Sequence, residues 1–221
     1  MKKVLFVSPH PDDEVLGCAG TILKHKKEKC KIYWLIVTTI KNSKNWPISK
    51  INLRDKEILK VKNYFKFDKI LNLNIETTKV DSLLNSEFTN ILEKKIDLIK
   101  PNIIYLPFIA DAHVDHKLTT STFNTCIKSF RFPYIKKVYM YETLSETTHN
   151  YLDERNFKPN VFNDISEFID KKIKAMEIYK SELGKHPFPR SIEAIKSLAI
   201  LRGLQSNTKF AEAFELVLEI K

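Results

Sequence analysis

The regular alternation of strand and helix patterns through the first 140 residues is the feature that most limits how this chain can fold. Short β-branched and aromatic runs alternate with longer segments in which apolar residues recur at helical spacing. Strands are predicted at 4–8, 31–38, 69–73, 102–106 and 136–141, and helices at 13–29, 53–65, 82–100 and 114–129. Two further helices are predicted at 165–183 and 191–201, before a last apolar segment at 211–220.

This alternation predicts the fold class. Strands joined by crossover helices run parallel, and such crossovers are right-handed. We therefore expect an α/β fold, a Rossmann-like open, mostly parallel sheet with helices on both faces. No repeat, low-complexity tract or Gly/Ser linker divides the 221 residues, so a single domain over 1–221 is predicted. Ligands of such sheets bind beyond the carboxyl ends of the strands.

The net charge of +10 raises the question of a nucleic-acid partner. Phosphate and base recognition favours the planar, bidentate guanidinium group of arginine. Only five of the 37 basic residues are arginines, and the lysines are spread along the chain. We therefore expect no nucleic-acid partner and a solvated, lysine-rich surface, while attraction for an anionic substrate stays open.

Apolar runs and cysteines bear on the compartment. The longest apolar runs, such as 103–107, are too short to span a bilayer. The apolar start at 4–7 ends at a Ser-Pro-His sequence without a small-residue cleavage site. Three cysteines without a C-x-x-C pattern argue against a disulfide framework and a thiolate metal site. We expect a cytoplasmic protein with no membrane partner, and a homo-oligomer is among the alternatives left open.

The loop after the first predicted strand carries the sequence Ser-Pro-His-Pro-Asp-Asp-Glu at 8–14. His10 and Asp13 are three residues apart across a first helical turn and can face the same way. Asp12 and Asp13 are neighbours and must point in different directions, so one can hold a metal while the other faces a water molecule. Acidic residues in a first turn also complement the helix dipole, so this loop alone is only suggestive.

The loop after the fourth predicted strand carries His113-Val-Asp-His116. Two histidines three residues apart at a helix start lie on one face. Asp115 lies between them and could fix the tautomer of an imidazole. A polar helix cap with two surface histidines is the alternative interpretation of this loop.

The two loops together predict a metal centre. His10, Asp13 and His116 supply three nitrogen and oxygen ligands, the number that a catalytic zinc site uses beside an open position. Zinc lowers the pKa of water to about 7. Asp12 could take the proton, and His113 could stabilise an oxyanion or protonate a leaving nitrogen, which suits amide hydrolysis. Magnesium prefers oxygen ligands, whereas Fe²⁺ accepts this set, so Zn²⁺ is predicted and Fe²⁺ stays open.

These residues resemble the LmbE/PIG-L family of zinc-dependent N-acetylglucosaminyl deacetylases. The resemblance extends along the chain to Arg54-Asp-Lys-Glu57, Tyr141-Glu-Thr-Leu-Ser-Glu-Thr147, Tyr179-Lys-Ser, Pro189-Arg-Ser, Arg202-Gly and Ala211-Glu-Ala-Phe214. It implies a hydrolase that removes the N-acetyl group of a small N-acetyl sugar, a nucleotide sugar or a glycoconjugate. It also implies a Rossmann-like fold without a nucleotide cofactor.

The resemblance implies roles for individual residues. The metal ligands would be His10, Asp13 and His116. Asp12 would be the general base, and His113 the electrophilic or acid histidine, oriented by Asp115. Arg54 would contact the substrate.

Two more substrate contacts are expected from position and residue type. Glu142 would reach the site from the end of the fifth strand, and Trp46 would offer a ring on which a sugar packs.

Two other functions stay open at this point: a metal-dependent phosphoesterase, and a non-catalytic sugar-binding module on the same fold.

Overall fold

The computed structural model describes residues 1–41 and 43–221; residue 42, in the loop after the second strand, lies outside the described part. The strands are β1 (Lys3–Ser8), β2 (Lys31–Thr39), β3 (Lys69–Glu76), β4 (Ile103–Pro107), β5 (Lys137–Tyr141), β6 (Val161–Asp164) and β7 (Ala211–Glu219). The helices are α1 (Asp13–Lys27), α2 (Ile48–Phe65), α3 (Asn85–Ile99), α4 (Val114–Cys126), α5 (Ile169–Met176) and α6 (Ile192–Ser206). Two single 3₁₀ turns lie at Val80–Ser82 and Thr147–His149.

The seven strands form one sheet in the order β3-β2-β1-β4-β5-β7-β6. The first five strands pair in parallel, and β7 runs antiparallel to both β5 and β6. The predicted Rossmann-like, mostly parallel sheet is therefore confirmed. Strand order reverses between β1 and β4, so a crevice opens beyond the carboxyl ends of these two neighbours. In the ranges 1–41 and 43–221, no helix has the length and apolar character needed to cross a bilayer.

Helices cover both faces of the sheet, as predicted. Alternate residues of β1 point to opposite faces, as the two-residue period of a strand requires. Val4 and Phe6 pack in one buried cluster with residues of α1, α2, α5 and α6. Leu5 and Val7 pack in the other with residues of α3 and α4. Strand β1 is thus buried on both faces, and this fixes the position from which the loop after β1 begins.

Several elements differ from the predictions in their bounds, and one strand was not predicted. Helix α2 begins at Ile48, five residues before the predicted start at 53, and Pro47 in an extended conformation directly precedes its first turn. The predicted helix at 165–183 is the shorter α5. Strand β6 was not predicted, since its four residues are half polar and are held in the strand by pairing with β7. Of these differences, only β6 reflects long-range pairing that overrides local propensity.

Helix α1 lies close to the sheet at a glycine. A methyl group at Gly17 would overlap the ring of Tyr141. The Tyr141 hydroxyl donates to the Val7 carbonyl of β1 at 2.7 Å. The absence of a side chain at Gly17 therefore lets α1 pack directly against the Tyr141 ring at the end of β5.

A buried ion pair joins α1, α5 and β7. Lys172 and Glu212 are 2.7 Å apart, with side chains 5% and 3% exposed. The Glu212 carboxylate also accepts hydrogen bonds from the backbone of Gly20 and Thr21, and the Lys172 ammonium donates to the Leu16 carbonyl. These contacts reach the backbone in the middle of α1, so the two side chains couple the helix to the sheet.

The Lys172→Met variant is expected to lower the free energy of unfolding by about 3 kcal/mol or more, because it leaves the Glu212 charge buried without its cation. The matched control is Lys27→Met. Lys27 pairs with Glu167 at the surface, where the side chains are 64% and 68% exposed, and surface pairs contribute at most about 1 kcal/mol. Urea denaturation of both variants measures the difference. Equal losses in the two variants would contradict a stabilising role for the buried pair.

Candidate metal centre and pocket

The loop after β1 is held by main-chain hydrogen bonds. The Pro9 carbonyl accepts from the backbone N–H and the hydroxyl of Thr38, at 3.0 and 2.8 Å. The Pro11 carbonyl accepts from Nη1 of Arg54 at 2.6 Å. The backbone N–H of His10 donates to Oδ2 of Asp13 at 2.8 Å. Neighbouring β2 and α2 thus position the side chains that follow β1.

Three candidate ligand atoms meet between the ends of β1 and β4. Nε2 of His116 lies 3.3 Å from Nδ1 of His10 and 3.3 Å from Oδ2 of Asp13. Nδ1 of His10 lies 3.7 Å from the same Asp13 oxygen. A tetrahedral zinc site with bonds of about 2.0–2.1 Å has ligand atoms about 3.3–3.4 Å apart. The separations and the donor types therefore fit a zinc-sized ion.

Each of the two candidate histidine ligands has a carboxylate on its other ring nitrogen. Nε2 of His10 lies 3.0 Å from Oδ2 of Asp115, and Nδ1 of His116 lies 2.8 Å from Oδ2 of Asp111. A carboxylate on one nitrogen fixes the tautomer and leaves the lone pair of the other directed at a metal. The histidine orientation thus fits metal binding as well as the distances do.

Asp111 has no role predicted from the sequence. Its side chain is fully buried and also accepts from the Thr147 hydroxyl at 2.5 Å. A carboxylate five residues before a histidine ligand, directly after a buried strand, is the signal that could have indicated this role.

The structure corrects the expected partner of Asp115. Its carboxylate contacts His10 at 3.0 Å, whereas Nδ1 of His113 lies 3.9 Å away. What orients His113 is the backbone N–H of Asp115, which donates to Nδ1 at 3.1 Å as the N-terminal cap of α4. The accepted hydrogen bond leaves Nε2 of neutral His113 to carry the proton, because a neutral imidazole has one donor and one acceptor nitrogen.

The second group of possible ligands near the pocket combines His10 with His113 and Asp115. It uses the carboxylate that already contacts Nε2 of His10. The nitrogen of His10 that approaches Asp13 and His116 is Nδ1. The set His10, Asp13 and His116 is therefore the better candidate. Its three ligand atoms lie close to one another, and Asp115 is left to orient His10.

Charge in the cluster favours a bound cation. Burial raises the pKa of Asp13, but His116 and His10 outweigh it and bring that pKa to about 2. Burial lowers the pKa of His116, but Asp13 and Asp111 outweigh it and raise that pKa well above its usual value. The buried carboxylates thus stabilise a positive charge between the candidate ligands, which either a proton on His116 or a metal ion can supply.

Asp12 has a strained backbone beside the cluster. Its φ is 133° and its ψ is −27°, outside the regions that L residues ordinarily occupy. Such strain concentrates at functional sites, where the surrounding structure maintains it. Burial raises the pKa of Asp12 to about 8 and the Asp13 carboxylate adds to this, while Arg54 and Arg190 lower it. A divalent cation beside the carboxyl group would lower that pKa further.

Burial lowers the pKa of His113 to about 4, and neighbouring His10 contributes in the same direction. The imidazole is therefore neutral near pH 7. Together with the cap at Nδ1, this makes the Nε2–H group of His113 a hydrogen-bond donor rather than a positive charge.

A pocket with an empty volume of about 850 Å³, including its open mouth, lies over the cluster. Its polar lining consists of His10, Asp12, Asp13, Thr39, Lys50, Arg54, Thr77, His113, Ser145, Glu146, Glu182 and Arg190. Its apolar and aromatic lining consists of Pro11, Leu16, Ile40, Trp46 and Ile58. The mixed lining suits a small polar molecule with an apolar face.

The three predicted substrate contacts have different positions. Trp46 lines the pocket and is 37% exposed. Arg54 lines it too, but its guanidinium group bonds the Pro11 carbonyl, Ser181 and Glu182. Arg54 therefore holds the loop after β1 as well as bordering the pocket.

Glu142 does not line this pocket, which corrects its predicted place. Its carboxylate accepts from Nε and Nη2 of Arg202 at 2.7 and 2.5 Å. A carboxylate that is only 8% exposed is stabilised by such a bidentate partner, and that partner lies on α6, away from the pocket.

The Pro189-Arg-Ser segment before α6, to which no definite role was assigned from the sequence, contributes Arg190 to the pocket. Arg190 donates to Glu182 and to the Ser145 hydroxyl, and its Nε lies 4.0 Å from Oδ2 of Asp12. Ser145 has a φ of 77°, a strained value for serine. The contact between Arg190 and Ser145 joins two parts of the pocket lining that are 45 residues apart in sequence, so it could not be predicted from local spacing.

A family model described as PIG-L, GlcNAc-PI de-N-acetylase, matches residues 5–127. That range spans both loops of the cluster. It is more than half of the 221 residues.

Individual relatives are more distant. A probable N-acetyl-alpha-D-glucosaminyl L-malate deacetylase 2 of Bacillus anthracis is 23% identical over 192 residues, covering 83% of this chain and 82% of its own. A diacetylchitobiose deacetylase of Thermococcus kodakarensis is 23% identical over 236 residues, and the match covers 98% of this chain and 84% of the relative. Among solved structures, the conserved protein TT1542 of Thermus thermophilus superposes with a TM-score of 0.80 at 24% identity. The superposition covers 100% of this chain and 97% of that protein. At that identity the superposition supports the fold alone.

Proposed function

The chain belongs to the PIG-L family of GlcNAc-PI de-N-acetylases, and from this membership we propose that it is a metal-dependent hydrolase that removes the N-acetyl group of an amino sugar. Its partner is a small-molecule N-acetyl sugar, nucleotide sugar or glycoconjugate. Both curated relatives described above carry names of deacetylases that act on N-acetylated sugars. One domain over 1–221 would carry the activity, and a cytoplasmic location stays a prediction.

The single observation that carries the proposal is the convergence of His10, Asp13 and His116 next to the pocket, which His10 and Asp13 line. Two nitrogen atoms and one oxygen atom suit Zn²⁺ better than Mg²⁺, and Fe²⁺ takes the same donors. We propose Zn²⁺, with Fe²⁺ as the second candidate. The carboxylates of Asp115 and Asp111 hold the two imidazoles in the ligating orientation.

When bound, the zinc ion would supply Lewis acidity and make water nucleophilic near neutral pH. Asp12 lines the pocket next to the ligand Asp13 and is not itself one of the three ligands. Its place beside Asp13 suits a general base that accepts a proton from the attacking water. As the C–N bond breaks, the same proton can pass to the leaving amine, so that acetate and a free amino sugar are the products.

His113 would act on the carbonyl oxygen. Its Nδ1 is occupied by the backbone N–H of Asp115, so its Nε2–H is free to donate into the pocket that His113 lines. A fixed donor aimed at a developing oxyanion stabilises it more than water does, because the donor needs no reorientation. This arrangement favours the oxyanion role of His113 over the acid role.

Metal removal provides the direct test of the proposed function. Acetate release from a panel of acetamido sugars is expected to stop when a chelator strips the protein, and to return with one equivalent of Zn²⁺. Elemental analysis before and after chelation gives the stoichiometry. The proposal would be abandoned if the zinc-loaded protein released no acyl group from any sugar of the panel.

The Asp111→Asn variant is expected to bind Zn²⁺ about 10–100-fold more weakly, because the carboxylate that fixes His116 is replaced by a neutral amide. Competition with a chromophoric chelator measures the affinity. Asp153→Asn is the matched control, since Asp153 contacts Lys117 away from the pocket. Equal zinc affinity in wild type and Asp111→Asn would remove Asp111 from the site.

A further inference from the structure

We propose that Glu14, held by the hydroxyl of Tyr179, is a positioning residue that fixes the direction of the Asp12 carboxylate. The inference rests on the proposed function, in which Asp12 is the general base. Glu14 and Tyr179 belong to the sequences Ser-Pro-His-Pro-Asp-Asp-Glu at 8–14 and Tyr179-Lys-Ser, and the proposed function uses neither residue. Neither is among the described residues that line the pocket, so both would act through Asp12.

Both main-chain groups of Asp12 are held by hydrogen bonds. Its carbonyl accepts from the backbone N–H groups of Val15 and Leu16, each at 2.9 Å, in the first turn of α1. Its N–H donates to Oε2 of Glu14 at 3.2 Å. The two groups flank the Cα atom, so holding both fixes the φ and ψ angles from which the side chain projects. The φ of 133° is costly for a residue other than glycine and persists only where surrounding contacts enforce it.

Glu14 is in turn fixed through its other oxygen. Its Oε1 accepts from the Tyr179 hydroxyl at 2.7 Å. The exposed fraction is 1% for Glu14 and 0% for Tyr179. Because a hydrogen bond in the low-dielectric interior is stronger than one in water, the carboxyl group keeps a single orientation. In that orientation Oε2 meets the N–H of Asp12.

The alternative interpretation is a capping interaction that only stabilises α1. A glutamate in the first turn can accept from the N–H of the capping residue, as Glu14 does from Asp12. An ordinary capping residue lies in the β region, whereas Asp12 has a positive φ. The contact therefore maintains a conformation that the start of a helix does not require, and that conformation belongs to the proposed base.

Tyr179 also belongs to a segment that lines the pocket. Its carbonyl accepts from the backbone N–H of Glu182 at 3.0 Å. Glu182 lines the pocket and pairs with Arg54, whose guanidinium carbon lies 5.7 Å from the centroid of the Tyr179 ring. Glu14 thus connects the loop that bears Asp12 to a wall of the pocket, so the base and the wall keep a fixed relation.

The test compares two substitutions of Glu14. Glu14→Gln keeps an oxygen for the Asp12 N–H and offers an NH₂ group to the Tyr179 hydroxyl, which can accept as well as donate. Its kcat for acetate release should be close to the wild-type value. Glu14→Met has no acceptor, and its kcat should fall about 100-fold, the effect that a misplacement of about 1 Å produces. KM and zinc content should not change, because the pocket lining and the metal ligands are unaltered.

Glu212→Met is the matched control. Glu212 is another buried carboxylate that accepts from the backbone of α1, at Gly20 and Thr21, and it is outside the lining of this pocket. Its loss should lower stability and leave kcat at the wild-type value. Three results would overturn the inference: unchanged kcat in Glu14→Met, an equal fall in the two methionine variants, or a fall in Glu14→Gln as large as in Glu14→Met.

Two further measurements cover a folding failure and an inactive wild type. Tyr179→Phe removes only the hydroxyl and should lower kcat by less than Glu14→Met; if Glu14→Met does not fold, unchanged kcat in Tyr179→Phe overturns the inference. If no sugar releases acetate, the proposed function fails, and amide hydrogen exchange followed by NMR still decides the inference. The Asp12 N–H should exchange about 10-fold faster in Glu14→Met than in wild type or Glu14→Gln, as loss of one hydrogen bond implies. Equal exchange rates would overturn the inference.

Discussion

Replacing His116 with alanine is expected to abolish zinc binding and acetate release together. The His116 side chain is fully buried, and its two ring nitrogens contact Asp13 and Asp111. The substitution removes one of three ligands, and loss of even an outer contact costs about 10–100-fold in metal affinity, so losing a ligand should cost at least about 1,000-fold. Elemental analysis after dialysis and an acetate assay measure both effects.

A matched histidine and a folding control make this result interpretable. His149 is exposed and outside the pocket lining, so His149→Ala should keep its zinc and its activity. Circular dichroism of His116→Ala distinguishes loss of the site from loss of the fold. His116→Gln, which fills more of the space, provides a second variant. Stoichiometric zinc in folded His116→Ala would show that His116 is not a ligand.

Replacing Asp12 with asparagine is expected to lower kcat by about 10²- to 10⁴-fold while zinc remains bound, because a general base contributes an effect of that size. Asparagine has the shape of aspartate and, like it, tolerates positive φ better than most residues, so the strained backbone at 133° should persist. Steady-state kinetics and elemental analysis on the same preparation separate chemistry from metal loss.

The control for Asp12→Asn is Asp81→Asn, at an exposed acidic position of the 3₁₀ turn before α3. That variant removes the same charge and should leave kcat within about twofold, as surface substitutions ordinarily do. Activity of Asp12→Asn within a few-fold of wild type would exclude Asp12 as the base. Loss of zinc from Asp12→Asn would instead indicate that Asp12 supports the metal site.

Much of the fold could be predicted from sequence because its signals are local. Strand β1 is a short apolar run, and the start of α1 is indicated by Pro11 followed by acidic residues. The order of these elements predicts parallel pairing, and parallel pairing predicts which loops meet. The two failures have different causes: α2 begins early at the local signal of Pro47, whereas β6 is an edge strand that depends on pairing with β7, about 50 residues away in sequence.

The candidate site divides in the same way. The sequence alone determined that His10, Asp13 and His116 are candidates to converge, since they follow two strands and the spacing within each loop sets the side-chain direction. Only the tertiary structure decided that Asp115 holds His10, that Asp111 holds His116, and that Glu142 pairs with Arg202 on α6. A buried polar group must find a partner, and the partner that it finds is the one that folding brings within hydrogen-bond distance. Two of these three pairs join residues 105 and 60 positions apart, a separation at which spacing along the chain carries no information about contact.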